Sequence, residues 1–150
     1  MENDALVVTQ IVEEILTKLE IAGAVSVSLD ETGAFRVGVE TEETGLLIGH
    51  HGKTLESLQH IAGIIVSKKL GRWVKVYVNI GDYREKREEA LMHMAQHAAD
   101  RALALARPVE LTRLSPAERR IIHVTLSGDE RVVTESLGEG DGRILVVKPK

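Results

Sequence analysis

The period with which hydrophobic and polar residues repeat changes once within the first 40 positions. Residues 4–20 repeat with a helical period and predict a helix that ends by Gly23. Its apolar face comprises Leu6, Ile11, Ile15, Leu16 and Leu19. Residues 24–40 then alternate between apolar and polar around a turn at Gly33. This alternation predicts a β-hairpin with one buried face.

A short apolar helix and a long helix are predicted next, separated by a loop with glycine at each edge. The short helix begins near Thr44, and the long one extends from Lys53 to Leu70. The buried stripe of the long helix should comprise Leu55, Leu58, Ile61, Ala62, Ile65 and Val66. A strand is predicted from Trp73 to Val78, with Trp73 in the core of the sheet. Residues 1–80 therefore follow the order α-β-β-α-α-β.

The second half of the chain carries its own pattern, and Gly81-Asp82 is the predicted boundary between domains 1–80 and 82–150. Ser115, Pro116 and Glu118 form a sequence typical of a capped helix start. The predicted elements are a helix over 82–105, a strand over 109–111, a helix from 116 to about 128 and two strands over 132–137 and 143–147. The order is α-β-α-β-β, and both halves belong to the α+β class.

Composition excludes several kinds of chemistry and location. The 150 residues include no cysteine, so disulfides, thiolate catalysis and sulfur-ligated zinc are excluded. The apolar run over 61–66 is too short to span a bilayer. The acidic start at Glu2 and Asp4 does not resemble a signal peptide. These features predict a cytoplasmic protein with no membrane contact.

The distribution of charge is more informative than its total of −4. Residues 1–49 carry 2 basic and 10 acidic groups, whereas residues 50–87 carry 8 basic and 3 acidic groups, a net of +5. Local charge decides binding because the Debye length is only about 8 Å at physiological salt. The central third of the chain is therefore the part best suited to an anionic partner, although solvated helix faces would produce the same pattern.

The loop between the two central helices has the sequence Gly49-His50-His51-Gly52. Glycine at both edges lets a sugar-phosphate backbone come close, and the first N–H groups of the following helix attract anions. Lys53 adds a positive charge, and Ile48 with its neighbours Leu46 and Leu47 is predicted to form the floor of a groove. The Gly-x-x-Gly spacing alone is weak, and a helix–turn–helix corner without a ligand is the alternative.

The position of this loop within an α-β-β-α-α-β order resembles a type II KH domain. That resemblance implies that Gly49 to Gly52 clamps the backbone of about four nucleotides of single-stranded RNA. This chain has His50 and His51 where the family usually has at least one lysine or arginine. The loop is therefore predicted to be an electrostatically weak clamp.

A second motif places Arg119 and His123 four residues apart, on one face of a predicted helix, with Arg120 beside them. Arginine can bind phosphate with two hydrogen bonds or stack on a base, and His123 can bind phosphate or hold the arginine. In the context Glu118-Arg-Arg-Ile-Ile-His123 the motif resembles an R-three-H domain, a family associated with single-stranded nucleic acids. The alternative is a surface arginine with a partly buried histidine.

A type II KH domain followed by an R-three-H domain resembles the bacterial Jag family, the SpoIIIJ-associated or KhpB proteins. The resemblance implies a non-enzymatic RNA-binding protein without cofactors, acting in post-transcriptional regulation or as an RNA chaperone. It also implies a KhpA-like KH protein as partner, with single-stranded DNA as an alternative ligand and no small-molecule substrate. The N-terminal domain of many relatives is expected to be absent.

Two other functions stay open on sequence grounds. One is a protein-interaction adaptor, in which the folds serve mainly to bind another KH protein or the translation machinery. The other is a hydrolase with a histidine site, although no nucleophile-elbow context is present. His93 and His97 have the spacing of metal ligands, but no carboxylate completes a site, so no metal is expected.

Overall fold

The computed structural model describes residues 2–150, which divide into two compact units. The first unit ends at Arg84, and the second comprises Glu85–Lys150. Each unit has its own hydrophobic core and its own three-stranded sheet. None of the helices in residues 2–150 is both long and apolar enough to cross a membrane.

The first unit has the predicted α-β-β-α-α-β order. Its elements are α1 (Glu2–Lys18), β1 (Ala24–Leu29), β2 (Phe35–Glu40), α2 (Thr44–Ile48), α3 (Lys53–Leu70) and β3 (Val76–Ile80). The hairpin prediction is confirmed, because β1 and β2 pair antiparallel from Ala24↔Glu40 to Leu29↔Phe35. Strand β3 then pairs with β2 in parallel. The α+β class and the KH-type order are therefore correct.

The predicted strand over 73–78 is wrong at both ends, because β3 comprises Val76–Ile80. Trp73 was predicted to lie in the core, but 76% of its surface is exposed. The alternation itself explains the error. Val74 and Val76 take the buried positions, so Trp73 and Lys75 point to the other side.

The apolar faces of the two long helices are narrower than predicted. Helix α3 buries Leu55, Leu58, Ala62 and Val66, whereas Ile61 and Ile65 are 51% and 39% exposed. Leu6 of α1, and Leu19 directly after this helix, are likewise more than half exposed, and α1 buries Val8 and Val12 instead. The helical period identifies an apolar face, but the width of the contact decides which residues of that face are buried.

The second unit also follows the predicted order. Its elements are α4 (Tyr83–Leu105), β4 (Val109–Leu111), α5 (Pro116–Leu126), β5 (Val132–Leu137) and β6 (Ile144–Pro149). Strand β6 lies in the middle of the sheet and pairs antiparallel with both β4 and β5. The glycine-rich segment Gly138–Gly142 is therefore the connection of a hairpin, as predicted.

The start of α5 is set by the predicted capping box. The Ser115 hydroxyl accepts a hydrogen bond from the Glu118 backbone N–H, and the Glu118 carboxylate accepts one from the Ser115 N–H, each at 3.1 Å. The other oxygen of Glu118 accepts a hydrogen bond from Arg87 Nε of α4 at 2.9 Å, and both of these side chains are largely buried. Helix α5 is therefore fixed at its first turn.

One turn of the first unit should contribute to its loss of stability in acid. The Asp30 carboxylate accepts hydrogen bonds from the Thr32 hydroxyl (2.6 Å), the N–H groups of Thr32 and Ala34, and Arg36 Nε (2.9 Å). The Thr32 hydroxyl is the largest of several groups that lower the pKa of Asp30 from 3.8 to about 2. Because the folded-state pKa is the lower one, the stabilisation is complete above 3.8 and is lost as the pH falls toward 2.

We therefore expect Asp30→Asn to reduce the loss of stability on acidification from about pH 5 to about pH 2.5. Urea unfolding at the two pH values, followed by circular dichroism, measures this difference. Glu31→Gln removes an exposed carboxylate one residue away and serves as the control. An equal acid sensitivity of Asp30→Asn and the wild type would show that the turn does not contribute.

Candidate nucleic-acid interface

The loop between α2 and α3 takes a left-handed backbone at three of its four residues. The φ angles are 70° at Gly49, 53° at His51 and 80° at Gly52. The segment His50–Gly52 forms a single tight turn, after which α3 begins at Lys53. The loop therefore opens directly into the N-terminus of an 18-residue helix, as predicted.

Packing within the chain makes both glycines necessary. A Cβ atom on Gly49 would lie 2.7 Å from Thr54 Cβ, and one on Gly52 would lie 2.9 Å from Tyr83 Cε1. Real Cβ atoms do not approach other atoms this closely, so a side chain at either position would force the loop to shift. The Gly-x-x-Gly spacing thus has a structural cause that is independent of any ligand.

The two histidines between the glycines point outward. Both are exposed, and their rings stack with centroids 4.0 Å apart and planes 30° apart. Lys53 is also exposed, but Glu56 lies in the same first turn of α3. The positive field at this helix start therefore comes mainly from the backbone N–H groups and the helix dipole.

The apolar residues before the loop do not form the predicted groove floor as a group. Leu47 is only 2% exposed and belongs to the core of the first unit. Ile48 is half-buried and packs against that core, and Leu46 is 63% exposed. The helical period explains the difference, because successive residues of a helix point about 100° apart and three in a row cannot all face one groove.

The predicted residues of the second site do converge in the structure. Arg119, Arg120 and His123 line one side of an open pocket of about 400 Å³. The rest of the lining is Pro116, Thr134, Ser136, Arg143 and Leu145. Three arginines and one histidine thus share this pocket with two hydroxyl groups, so its lining is strongly cationic.

Arg119 and His123 are both held by neighbours rather than by each other. Arg119 Nη1 donates to the Leu114 carbonyl oxygen at 2.6 Å, which anchors the guanidinium at the start of α5. His123 Nδ1 is hydrogen-bonded to the Thr134 hydroxyl of β5. The hypothesis that His123 holds Arg119 is therefore not supported by a contact, and β5 positions the histidine instead.

Sequence reasoning missed three polar residues of the pocket, which are Thr134, Ser136 and Arg143. Thr134 and Ser136 alternate along β5 with the exposed Val133 and Glu135, so both face α5. Hydroxyl residues at two successive inward positions of the strand were the available signal. Arg143 had none, because only the hairpin between β5 and β6 brings it beside α5.

His93 and His97 are four residues apart on α4. Both side chains are exposed. Within residues 2–150, histidine, aspartate and glutamate side chains nowhere gather in a group of three that could hold a metal ion.

Two domain families match this chain and together cover most of it. Residues 9–80 match the family described as KhpA/KhpB, KH domain. Residues 89–149 match the R-three-H domain family, which is the second domain expected from the sequence. The two matches coincide with the two compact units and with the loop and the pocket that they contain.

Similar proteins from three bacteria carry the same name. The chain is 34% identical over 142 residues, 94% of its length, to the RNA-binding protein KhpB of Clostridium symbiosum. It is 35% identical over 87% of its length to the Bacillus subtilis protein of that name, and 31% identical over 98% to the one from Streptococcus pneumoniae serotype 2. The chain spans 64%, 64% and 44% of the length of these three relatives.

The family follows from the combination of the two domains and not from either alone. A KH domain of the KhpA/KhpB type precedes an R-three-H domain, in the order predicted from the sequence. With this domain pair and with more than 30% identity to proteins of that name over most of its length, the chain belongs to the KhpB family.

Proposed function

We propose that this chain binds single-stranded RNA, without catalysis, through one site in residues 1–80 and a second in residues 82–150. The observation that carries the proposal is the pocket beside α5, where Arg119, Arg120 and Arg143 converge. Guanidinium groups bind phosphate oxygens with paired hydrogen bonds, and a pocket lined by several of them suits a polyanion. The name of the relatives, RNA-binding protein, supports the same ligand.

The pocket residues divide into two roles. Arg120 and Arg143 are exposed and are proposed to contact phosphate directly, together with the hydroxyls of Thr134 and Ser136. Arg119 gives one of its donors to the Leu114 carbonyl and presents the rest of its guanidinium group to the pocket. His123 contributes a ring nitrogen at the pocket wall.

The loop from Gly49 to Gly52 is proposed as the second contact, extended by Ile48 and Lys53 on either side. Gly52 leaves the first turn of α3 without a capping side chain, so backbone N–H groups can donate to phosphate. Glu56 offsets the charge of Lys53, which makes the loop a weak site on its own. Two weak sites in one chain raise the effective concentration of the second contact, so joint binding exceeds either alone.

The proposal places the protein in the bacterial cytoplasm, where single-stranded RNA is available, in post-transcriptional regulation or as an RNA chaperone. Single-stranded DNA is the alternative ligand. Phosphate contacts alone do not distinguish the two, because only the sugar 2′-hydroxyl differs at a given backbone site. Parallel titrations with RNA and DNA of the same sequence decide between them.

The loop is best tested by changing its charge at the two histidines and not by replacing its glycines. A Gly52→Asp substitution would displace Tyr83 as well as repel phosphate, so it cannot separate folding from binding. His50→Asp combined with His51→Asp instead places two anions on exposed positions. Aspartate tolerates the left-handed backbone of position 51 better than most residues do.

We expect this double aspartate variant to bind a labelled single-stranded RNA at least about tenfold more weakly, since like charges repel phosphate. Fluorescence anisotropy measures the affinity. His50→Asn with His51→Asn is the matched control, because asparagine has the shape of aspartate without its charge. Equal affinities for the two double variants would remove the loop from the interface.

The pocket is tested through the salt dependence of binding. Arg120→Ala and Arg143→Ala should each lower RNA affinity by about fivefold and reduce the slope of log K against log salt by about 0.7, the value for one phosphate contact on a single strand. Arg131→Ala is the control, because Arg131 is exposed in the same unit but is paired with Asp129 at 2.8 Å. Unchanged affinity and slope in both pocket variants would contradict the proposal.

A specific observation also supports a protein partner. Ile61, Ile64 and Ile65 are 51%, 46% and 39% exposed and lie three and four residues apart on one face of α3. Exposed apolar residues in a contiguous group mark interaction sites. We propose that this isoleucine stripe, defined by these three residues, binds a KhpA-like KH protein.

Ile61→Glu with Ile65→Glu should abolish pairing with a KH protein of the KhpA/KhpB family and leave RNA affinity within about twofold, because a charged residue cannot be buried unpaired in an interface. Sedimentation velocity of the mixed proteins measures pairing. Leu19→Glu introduces a charge at an equally exposed apolar position directly after α1 and controls for charge alone. If the wild-type chain does not pair, or the stripe variant still does, the stripe is not the interface.

A further inference from the structure

The outer face of the β1–β2–β3 sheet carries side chains that neither proposed site uses. In β3 the residues Val76, Val78 and Ile80 are buried, so Tyr77 lies on the opposite face. In β2 the residues Phe35, Val37 and Val39 are likewise buried, so Arg36 lies on the outer face. There it is paired in register with Tyr77. The hydrogen bond from Phe35 N to Lys75 O extends this pairing toward Trp73.

Two aromatic rings on this face are each accompanied by a cation. The Arg36 guanidinium carbon lies 4.2 Å from the centroid of the Tyr77 ring, and Lys75 Nζ lies 5.8 Å from the centroid of the Trp73 ring. Arg36 is further fixed by its ion pair with Asp30 at 2.9 Å. Trp73, the only tryptophan in the chain, is 76% exposed. The face therefore presents one open indole ring and one oriented guanidinium plane.

The surroundings of these rings are small and polar. Strand β1 contributes Ser26 and Ser28, which pair with Gly38 and Arg36 of β2. Gly38 has no side chain, and the Ser26 hydroxyl lies directly beside it. Because these neighbouring side chains are short or absent, a planar group has room to lie against the rings. A protein-binding patch would instead be expected to continue into aliphatic neighbours.

The charge near Trp73 is positive. Lys68 and Lys69 lie in the last turn of α3, and both are exposed, as is Lys75. Arg72 is also exposed but forms an ion pair with Asp4 at 2.7 Å. Exposed aromatic rings among cations are the combination that binds single-stranded nucleic acid, because bases stack on the rings while lysines attract the phosphates.

We propose that the outer face of the first sheet is a third RNA contact, on which one base stacks on Trp73 and a neighbouring base stacks on the Arg36 guanidinium. Lys75 supplies the charge for the phosphate that joins them. This inference rests on the proposed RNA binding and extends it to a surface outside the loop and the pocket. We name this surface the sheet platform, defined by Arg36, Trp73, Lys75 and Tyr77.

The sheet platform is separated from the Gly49–Gly52 loop by the length of α3. The loop precedes the first residue of this 18-residue helix, and Trp73 follows the last by three positions. At 1.5 Å per residue the helix spans about 27 Å. An RNA held only at the loop, where about four nucleotides are clamped, is therefore too short to reach Trp73.

Trp73 makes the proposal directly observable, because it is the only tryptophan that can fluoresce. Titration with an unlabelled oligouridine of about 15 nucleotides should quench its emission over the same concentrations at which a labelled copy of that RNA gains anisotropy. Trp73→Leu should weaken binding of the labelled RNA by on the order of tenfold, since stacking of one base is lost. Trp73→Phe retains a ring and should recover most of the affinity.

Two controls separate this contact from the others. Leu6→Ala removes a similarly exposed apolar residue of α1 and should leave affinity unchanged. The double aspartate loop variant should weaken binding but still show full quenching of Trp73 at saturating RNA. Circular dichroism of Trp73→Leu is expected to match the wild type, because the side chain is mostly outside the core.

The outcomes distinguish this inference from the proposed function. Anisotropy that rises with RNA while Trp73 emission and the affinity of Trp73→Leu stay unchanged would overturn the sheet platform and leave the other two sites standing. An absence of any RNA binding would overturn the proposed function itself. Emission that changes with protein concentration or with an added KH protein, and not with RNA, would assign the face to a protein partner and overturn the RNA contact.

Discussion

The left-handed backbone between α2 and α3 is the constraint on which the first unit depends. It turns the chain from α2 into α3 within four residues, and α3 then places Leu55 and Leu58 in the core. Thr54 and Tyr83 close around Gly49 and Gly52 and leave no room for a side chain at either glycine. The same two glycines therefore satisfy the packing of the fold and leave the backbone between them open to a ligand.

Sequence periodicity was sufficient for the order and type of the elements, because amphipathic helices and half-buried strands differ in period. It failed where the width of a contact decides burial. Ile61 and Ile65 continue the apolar stripe of α3, yet the partners of that helix reach only as far as Ala62 and Val66. Trp73 was misplaced because its size suggested burial, whereas the alternation that buries Val74 and Val76 puts Trp73 on the opposite side.

The two candidate sites differ in how much of each can be recognised from the sequence alone. The loop and the Arg119–His123 pair are local, since four consecutive residues or one helical turn define each. The remainder of the pocket comes from β5 and from Arg143 at the start of β6, which a hairpin brings beside α5. The positive charge of the pocket likewise depends on folding. The chain as a whole is acidic, but its arginines are brought together by folding and not by composition.

Glu118 performs two structural tasks with one carboxylate. One oxygen closes the cap of α5, and the other holds Arg87 of α4. Two of the three arginines that line the pocket, Arg119 and Arg120, project from the helix that this carboxylate positions. Replacing Glu118 would therefore open the cap of α5 and release Arg87 at the same time, and would shift Arg119 and Arg120 without changing either of them. The geometry of the pocket thus depends on a carboxylate that is not one of its lining residues.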